Sequence, residues 1–469
     1  MIPPTIDVDY LVVGAGATAM AFVDSMLSKS NATFAIVDCR ARPAGHWNDA
    51  YPFVRLHQPS TAYGVNSTEL GDGSLDAVGL NKGLRGLASG IEVLDYFDRV
   101  MQRRFLPSGR VQYFPMCEHT IDDKGTHCAT SLTSGKSRRF NVRKKFVNAT
   151  HAGTSVPATH LRSYAVADGV ECIPPNDLPR LGHPRQQYVV VGGGKTAMDT
   201  CLWLLQNDVA PSRVRWIVPR DSWLLDRANL QSGPDFRGAY LAGLAHQFSA
   251  IACASTLPEL YQELETRGQF IRLDRTITPT MYHCATLSQA ELAELRRIDD
   301  IVRMGRVKSV EADRIVLEEG ETGKEEDALV IDCSARGLRP IEGLKVFDGD
   351  TLNILLVRVC SPCFSAAFLG HIESQFTDEA GKNALCQPVP IPMVPSDYLR
   401  MWAVTLDNRL RWSEHPVIES WLADSRLDEI SRSVHGIRKD DDEAQQILQN
   451  YRASIRPAVE NLPKLLAQI

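Results

Sequence analysis

The chain has 469 residues, which is more than a single hydrophobic core usually supports, so two or more domains are expected. Hydrophobic residues make up 44% and charged residues 23%, as in an ordinary soluble globular protein. The 51 Lys and Arg against 57 Asp and Glu leave a formal net charge of -6, which argues against a general nucleic-acid or anionic-membrane binder.

The cysteines and the first residues favour a reducing compartment. Eleven cysteines are scattered without the close, even spacing of a secreted disulfide scaffold, and "MIPPTIDVDY" has no secretory pattern. The apolar stretch 239–254 is shorter than a bilayer span and contains His246 and Gln247, so it reads as a buried helix. We therefore expect a cytoplasmic protein without a membrane segment.

A glycine motif follows the first apolar run, in "VDYLVVGAGATAMAFVDSML" (8–27). The G-x-G-x-x-A spacing gives a tight turn, a close approach of backbone to a pyrophosphate, and a small residue where helix meets strand. Phosphates then lie at the positive end of the helix. The dinucleotide-binding residues predicted here are Gly14, Gly16, Ala17 and Ala19.

The next strand, "ATFAIVD", ends at Asp38, 24 residues beyond Gly14. An acidic side chain at this place accepts hydrogen bonds from ribose hydroxyls. This half of the chain therefore suits an adenosine without a 2′-phosphate.

A second glycine motif lies in "YVVVGGGKTAMD" (188–199). An ATPase phosphate loop is excluded because it needs a glycine where Val189 stands. Gly192, Gly194 and Ala197 instead repeat the G-x-G-x-x-A spacing between an apolar strand and a helix.

The residues around the second motif favour NADP over NAD. "VRWIVPR" ends at Arg220 without a carboxylate, and arginine pairs with a 2′-phosphate that an aspartate would repel. Arg220 as a solvated arginine after a strand is the alternative. Lys195 and Thr196 fall in the first helical turn, and Lys195 is either a phosphate contact or a solvated lysine.

The order of the segments predicts one domain inserted into another. "FVNATHAG" (146–153) reads as a strand returning to the first nucleotide unit, and a Pro-rich connector (171–185) leads to the second. Residues 305–321 read as a hairpin, and "DALVIDCSARG" (327–337) as a strand that rejoins the first unit. Asp332, with Ser334, is thus expected near the first cofactor.

The predicted fold class is α/β, with two Rossmann-like dinucleotide-binding domains, one inserted in the other, and a helical C-terminal part. The predicted domains are 1–170 and 326–469, which together bind the first cofactor and end in the C-terminal helices, and 171–325, which binds the second and carries a helical insertion.

Over about residues 6–375, the chain resembles flavoproteins with two dinucleotide-binding domains, FAD first and NADPH second. Among them it is similar to the class B flavin-containing and Baeyer-Villiger monooxygenases. "AGHWNDAYPFVRLHQPSTAYG" (44–64) matches their pattern G-G-T-W...Y-P-G-A-R-C-D-x-x-S-x-x-Y with a loop one residue shorter. The matching residues are Gly45, Trp47, Tyr51, Pro52, Arg55, Ser60 and Tyr63.

The resemblance implies that this segment lies along the flavin. His57 stands where the family has an aspartate near the reactive ring. With an unperturbed pKa of about 6.5, it is a candidate catalytic proton carrier or flavin hydrogen-bond partner, or else a packing histidine. Trp47 and Tyr51 are ring contacts or ordinary core aromatics. The flavin contacts implied here are Gly45, Trp47, Arg55, His57, Gln58 and Tyr63.

The resemblance implies an FAD- and NADPH-dependent monooxygenase that inserts one atom of O2 into a small organic substrate after hydride transfer to FAD. The chain lacks the family's F-x-G-x-x-x-H linker; between Gly153 and Tyr188 the only histidines are His160 and His183. One alternative is therefore a plain NADPH oxidoreductase or oxidase. Another is an FAD-binding protein without redox turnover. The expected partners are the substrate and O2, with no nucleic acid or membrane, and the oligomeric state stays open.

Two further stretches carry no clear chemistry. Cys360 and Cys363 form "CSPC", but this pair is not where related disulfide reductases have theirs, so free buried cysteines are the preferred interpretation. Residues 278–288 read as a loop before a capped helix, which either lines the substrate space or has no role in the site. The histidines and cysteines lack metal-ligand spacing, so no metal is expected.

Overall fold

The structure, a computed structural model, describes residues 5–151, 153–339 and 341–469. In these ranges the strands are β1 (Thr5–Val13), β2 (Phe34–Val37), β3 (Val111–Phe114), β4 (Cys117–Ile121), β5 (His127–Ser131), β6 (Ser137–Asn148), β7 (Ala165–Val166), β8 (Cys172–Ile173), β9 (Gln187–Val191), β10 (Val214–Ile217), β11 (Ser222–Asp226), β12 (Phe270–Ile271), β13 (Met281–Leu287), β14 (Ile301–Val302), β15 (Val307–Val310), β16 (Arg314–Leu317), β17 (Gly320–Gly323), β18 (Ala328–Asp332), β19 (Phe347–Asp348) and β20 (Thr351–Asn353). The α-helices are α1 (Ala17–Lys29), α2 (Gly90–Val100), α3 (Lys195–Gln206), α4 (Arg237–Cys253), α5 (Leu257–Thr266), α6 (Gln289–Leu295), α7 (Pro362–Gln375), α8 (Glu379–Leu385), α9 (Asp397–Ser413), α10 (Pro416–Asp424), α11 (Glu429–Val434) and α12 (Asp442–Leu466).

The first sheet has the strand order β19-β20-β6-β1-β2-β3, and β20 to β3 are parallel. The hairpin of β4 and β5 joins it antiparallel at β6. Helices α1 and α7 pack against each other beside this sheet. A Cβ on Gly370 would lie 2.9 Å from the Phe22 carbonyl oxygen, so the glycine lets the two helix backbones approach closely.

The second sheet has the order β14-β10-β9-β18-β8, and all of its strand pairs are parallel. Every residue of β9 and β18 is buried, as expected for strands covered on both faces. The prediction that residues 327–337 rejoin the first sheet is wrong, because Asp332 pairs with Val191 of β9. The apolar run predicted the strand correctly, but a run of this kind suits either parallel sheet.

The chain returns to the first sheet at β20, which pairs with β6 in parallel. Along the chain, strands of the first sheet thus come both before and after the strands of the second sheet. The expected strand at 146–153 is the end of β6, which pairs with β1. The predicted hairpin at 305–321 is confirmed as β15 and β16, and β17 extends it.

A third sheet, of order β12-β11-β13, includes the segment 278–288 that the sequence suggested was a loop. That prediction is wrong for β13, although the following helix α6 does begin with a capping box between Ser288 and Glu291.

Helices α9 to α12 form the C-terminal part, and α12 packs along α4. The acidic run at 439–446 starts α12, with Asp441 as the residue that caps the helix. The apolar stretch 239–254 is the buried helix α4, as expected. Within the described ranges, no helix combines the length and the apolar character that crossing a membrane requires.

Candidate functional site

The first glycine motif forms the turn between β1 and α1. Gly14 has φ +100°, and a Cβ there would lie 3.4 Å from the Ala149 carbonyl oxygen, at the end of the adjacent strand β6. Gly16 precedes the first residue of α1, Ala17, and the first turn of the helix has no side-chain cap and no acidic residue. The N–H groups of this helix end are therefore left for an anion. Ala19 is fully buried and packs against the core.

Asp38 lies beside this turn, just beyond β2. Its Oδ2 accepts a hydrogen bond from the Ala15 N–H (2.5 Å), and its Oδ1 accepts one from the Arg40 N–H (2.7 Å). The structure thus places the predicted carboxylate next to the predicted glycine turn, although the two are far apart in sequence.

The segment 44–64 packs on the first turn. The Ala44 N–H donates to the Ala15 carbonyl oxygen (2.8 Å), and a Cβ on Gly45 would lie 3.0 Å from Gly16 Cα. Trp47 donates from Nε1 to the Tyr63 hydroxyl (3.0 Å), and both rings are buried. The two aromatic side chains therefore hold this segment together beside the turn.

The second glycine motif forms the turn between β9 and α3. Gly192 has φ +138°, and a Cβ there would lie 2.7 Å from the Cys333 carbonyl oxygen, just beyond β18. Gly194 precedes α3, and among the described residues no atom lies within 4 Å of a Cβ added to it and no side chain caps the helix. Ala197 is fully buried. In each sheet the strand before the turn is a central strand. The following strand lies on one side of it (β2 beside β1, β10 beside β9), and a later strand lies on the other side (β6 and β18). Open α/β sheets bind ligands at such a point.

Arg220 lies beside the second turn, close enough to Arg306 and Arg336 for their charges to act on it. Arg220 is exposed, and its carbonyl oxygen would lie 2.9 Å from a Cβ on Gly193. Partial burial, and the charges of Arg306 and Arg336, lower the pKa of Arg220, while Glu318 opposes them. This concentration of positive charge favours an anion. The sequence indicated Arg220 but not the other two, which follow β14 and β18.

Asp332 lies at the second turn, not at the first cofactor as predicted. It is the last residue of β18, and its Oδ2 lies 2.7 Å from His160 Nε2. Its Oδ1 accepts hydrogen bonds from the Ser334 N–H (3.1 Å) and hydroxyl (2.6 Å). His160, from the linker in which the family signature is missing, is thus held against the second sheet.

Lys195 and Tyr51 meet at one carboxylate. The Lys195 ammonium forms an ion pair with Asp199, and the Tyr51 hydroxyl donates to Asp199 Oδ2 (2.7 Å). Burial, and then the Asp199 charge, raise the pKa of Tyr51 well above its usual value. Thr196, also in the first turn of α3, accepts on its carbonyl oxygen from Thr200 Oγ1 (2.8 Å). The segment that packs on the first turn therefore also contacts the helix of the second turn.

His57 lies in the segment 44–64, close to Lys195 of α3 and to Arg227. Burial is the main cause that lowers its pKa to about 3; Lys195 and Arg227 lower it further, and Glu291 opposes them. The prediction of proton exchange near neutrality rested on an ordinary pKa of about 6.5, whereas burial lowers the pKa of His57 here, and a catalytic role for His57 stays a prediction. Within the described residues, Nδ1 of His57 is buried without a hydrogen-bond partner, so this neutral imidazole can still bond to a bound molecule.

Arg227 is a residue of this site that the sequence did not reveal. Its side chain is fully buried and forms an ion pair with Glu291 (2.8 Å). It donates from Nε to the His57 carbonyl oxygen (3.2 Å) and from Nη1 to Asn81 Oδ1 (3.2 Å). Glu291 was detectable from the spacing of its capping box, whereas nothing local marks Arg227 as buried.

A cleft of about 520 Å³ opens beside these charges. Arg55 lines it and donates to the Leu87 carbonyl oxygen (3.0 Å), and Gln58, three residues further along the chain, is partly buried. The apolar wall of the cleft consists of Pro52, Phe53, Val54, Leu56, Val78, Leu80, Leu87, Leu202 and Trp203. Its polar lining includes Arg55, Asp76, Asn81, Ser89, Lys195, Asp199, Gln206, Arg227 and Glu291.

The two cysteines of the C-S-P-C stretch have different environments. Cys360 is disulfide-bonded to Cys284 of β13, so the interpretation as a free cysteine is wrong for it. Cys363 is free and buried, and its Sγ accepts a hydrogen bond from the Gly64 N–H (3.4 Å). In the part of the chain that the structure describes, no three His, Cys, Asp or Glu residues cluster as metal ligands.

No family model matches the chain. Proteins of Mycobacterium tuberculosis and Mycobacterium bovis, named as uncharacterized proteins, are 44% identical to it over 462 residues, covering 98% of this chain and 85% of theirs. The polycyclic ketone monooxygenase from the thermophilic fungus Thermothelomyces thermophila is structurally similar, with a TM-score of 0.51 and 11% identity over 97% of this chain and 89% of that one. A flavin-containing monooxygenase from Stenotrophomonas maltophilia matches with a TM-score of 0.41 and 16% identity over 76% of this chain and 88% of that one.

Proposed function

Since the chain belongs to the family of these mycobacterial proteins and has a class B flavoprotein monooxygenase-like fold, we propose that it is an FAD- and NADPH-dependent monooxygenase. The observation that carries the proposal is the pair of glycine turns with opposite charges beside them. Asp38 lies at one turn and Arg220 at the other, and the segment around His57 contacts both units.

The residues at the first turn fit FAD. The uncapped N-terminus of α1 suits a diphosphate, and the Asp38 carboxylate suits ribose hydroxyls. We propose Gly14, Gly16, Ala17, Ala19 and Asp38 as binding residues for the dinucleotide. We propose Gly45, Trp47, Arg55, His57, Gln58 and Tyr63, along the segment 44–64, as its further contacts.

The residues at the second turn fit NADPH. The N-terminus of α3 has open space at Gly194, and the cluster of Arg220, Arg306 and Arg336 suits a 2′-phosphate. We propose Gly192, Gly194, Thr196, Ala197 and Arg220 as binding residues, joined by Asp332 of the adjacent strand. Lys195 remains a proposed contact only if it leaves its ion pair with Asp199.

We propose two Rossmann-like domains, with the NADPH domain inserted into the FAD domain. The predicted boundary at 325 must move, since β18 belongs to the second sheet and β19 to the first. The predicted start at 171 moves as well, because β7 pairs with β15 and Tyr164 packs in the core beneath the second sheet. The proposed inserted domain then spans about residues 155–336, and the proposed FAD domain comprises the parts before and after it, including the C-terminal helices.

Bound FAD would supply the transfer of electrons from NADPH to O2. The chain's own contribution is positional. Arg227 holds the His57 carbonyl oxygen, Tyr51 holds Asp199, and the apolar wall of the cleft excludes water from an organic substrate. His57, uncharged at neutral pH, offers Nδ1 as a hydrogen-bonding atom rather than a charge.

The second candidate is an NADPH oxidase or oxidoreductase on the same fold. The missing linker signature before β9 favours it. In both candidates the cofactor sites are the same, and they differ only in whether oxygen enters a substrate.

The experiment is anaerobic mixing of the FAD-loaded protein with NADPH, followed by addition of O2. Bleaching of the flavin, then O2 consumption that depends on an organic substrate and releases little hydrogen peroxide, would support the monooxygenase. Bleaching with stoichiometric hydrogen peroxide would support the oxidase. Absence of bleaching with NADPH and NADH would leave an FAD-binding protein without turnover.

A further inference from the structure

Cys284 and Cys360 lie far apart in sequence and together in space. They are 76 residues apart, their Cα atoms are 6.5 Å apart, and their sulfur atoms are bonded. This Cα distance is within the range that disulfides adopt. Each residue belongs to a stretch that the proposed cofactor sites do not use.

The disulfide joins two parts of the fold. Cys284 is in β13, which pairs in parallel with β11, and β11 comes directly after β10 of the second sheet in the chain. Cys360 lies two residues before α7, the helix that packs on α1 beside the first sheet. The bond therefore fixes the third sheet to a helix of the first nucleotide unit.

Cys284, Cys360 and the nearby Cys363 differ in their exposure and in their neighbours. Cys360 is partly exposed and its Sγ lies 3.6 Å from Met401 Sδ, while Cys284 Sγ lies 3.4 Å from the Tyr282 hydroxyl. Cys363 is a poor competitor, because burial raises the pKa of its thiol to about 12 and its Sγ faces the Gly64 N–H. Of Cys284, Cys360 and Cys363, Cys360 is therefore the one that a small oxidant reaches most easily.

The disulfide also lies close to the candidate site. Thr286, two residues beyond Cys284 in β13, accepts on its carbonyl oxygen from Arg227 Nη2 (3.4 Å). Arg227 in turn donates to the His57 carbonyl oxygen (3.2 Å). The Arg227 side chain thus connects β13 with the segment that we propose to contact FAD.

We propose that Cys284 and Cys360 form a reversible thiol–disulfide switch, which hydrogen peroxide oxidises and a dithiol reduces, and which fixes β13 against the start of α7. The Cys360 thiol loses its proton, its sulfur attacks one peroxide oxygen, the O–O bond breaks, and the leaving hydroxide takes up that proton, so a sulfenic acid and water form. The Cys284 thiol then attacks that sulfur, the S–S bond forms, and a second water leaves. Two sulfur atoms are oxidised by two electrons in total, and one peroxide is reduced to two waters.

The test uses the full-length protein. It is reduced with dithiothreitol, freed of reductant, exposed to hydrogen peroxide and digested under conditions that block thiols. We expect a cross-linked peptide containing Cys284 and Cys360, and a fall in titratable thiols from the eleven of the sequence to nine after denaturation. Dithiothreitol added to the folded, oxidised protein should restore both thiols.

Matched variants separate this pair from general oxidation. Cys253→Ala removes an exposed cysteine outside the pair and should form the cross-link as the wild type does. Cys284→Ala and Cys360→Ala should not form it. A cross-link between Cys360 and Cys363, no cross-link at all, or one that dithiothreitol does not open in the folded protein would overturn the proposal.

Hydrogen exchange measures the structural effect. In the wild type and in Cys253→Ala, amides of 281–287 and 356–361 should exchange severalfold more slowly after oxidation than after reduction. Cys284→Ala should show no such difference. Equal exchange in the oxidised and reduced wild type would overturn the claim that the bond fixes β13. Because peroxide is added as a reagent, these results do not depend on whether the protein is a monooxygenase.

Discussion

Asp38 is the residue on which retention of FAD is expected to depend most. Asp38→Ala removes a carboxylate suited to ribose hydroxyls at the first turn, and it also removes the acceptor of the Ala15 N–H. We expect the dissociation constant for FAD to rise by about tenfold or more, which corresponds to roughly 1.4 kcal/mol. Equilibrium titration of the apoprotein with FAD measures this change.

Asp38→Glu is the control for charge, and thermal unfolding of each variant without FAD is the control for stability of the turn. If Asp38→Ala binds FAD as tightly as the wild type, the assignment of the first turn is wrong. If only the unfolding temperature falls, the carboxylate supports the turn and not the cofactor.

Arg220 is expected to set the preference for NADPH over NADH. Arg220→Ala removes one of three positive charges near the second turn, so the preference should fall by about tenfold, with a further fall for Arg220→Ala combined with Arg306→Ala. Flavin reduction with each nicotinamide, followed anaerobically, gives the ratio. Arg213→Ala, at the opposite end of β10, should leave it unchanged. An unchanged ratio in Arg220→Ala contradicts the charge argument.

His57 gives a prediction about pH. Because burial lowers its pKa to about 3, His57 stays uncharged from pH 5 upward, and its ionisation contributes no step in flavin reduction between pH 6 and 8. His57→Gln, an uncharged hydrogen-bonding substitute, should therefore change the rate without changing the shape of the pH profile over that range. A step near pH 6.5 in the wild type that disappears in His57→Gln would show that His57 titrates there.

At the scale of elements, the Arg227–Glu291 pair joins the end of β11 to α6. Breaking a buried ion pair from one side leaves a charge without a partner, so Arg227→Met should lower the free energy of unfolding by about 3 kcal/mol. Arg227→Met with Glu291→Gln should lower it by less than the sum of the single changes. Urea unfolding of the wild type, the two single variants and the double variant measures the coupling between Arg227 and Glu291. If the effects of the two single changes simply add up, the prediction is contradicted.

The elements near the glycine motifs were predictable because their signals are local. Each motif has its strand, turn and helix within about twenty residues. The charged residue of each unit, Asp38 or Arg220, comes shortly after the next strand in the chain. Strand β13 was missed because six of its seven residues are buried, so it lacks the alternation that marks a half-buried strand. The sheet to which β18 belongs was missed because its burial on both faces is the same in either parallel sheet.

The parts of the candidate site that sequence could not predict are contacts between distant segments. Arg227 meets His57 across 170 positions, and Cys284 meets Cys360 across 76. Neither Arg227 nor Cys284 belongs to a motif with a recognisable spacing. Only the packing of the third sheet brings these two residues to their partners. His57 itself was found, but its lowered pKa depends on burial and on Lys195 and Arg227, which come from elsewhere in the chain.

For the molecule as a whole, buried histidines predict loss of stability in mild acid. His371 in α7 is 2% exposed and stacks on Trp421, and burial lowers its pKa to about 4. Between pH 6.5 and 4, the unfolded chain binds a proton that the folded chain does not, so the stability present above pH 6.5 falls as the pH falls to 4. For His371 alone the loss is about 2 kcal/mol at pH 5.

His371→Phe keeps a ring against Trp421 and removes the titrating group, so its unfolding free energy should fall less between pH 7 and 5 than that of the wild type. His246→Phe, on an exposed position of α4, is the matched control and should follow the wild type. Urea unfolding at several pH values measures both. Parallel pH curves for the wild type and His371→Phe would contradict the prediction.

Strands β6 and β20 are neighbours in the first sheet, but in the chain all strands of the second sheet lie between them. This arrangement affects the order of folding during synthesis. When β6 leaves the ribosome, its partner at Thr351–Asn353 has not yet been made, so this edge of the sheet stays uncovered while some two hundred residues are translated. The strands of the second sheet can pair with one another in that interval, whereas the first sheet is complete only afterwards. In nascent chains stopped before residue 351, we therefore expect the second sheet to resist protease and the incomplete first sheet to bind chaperones.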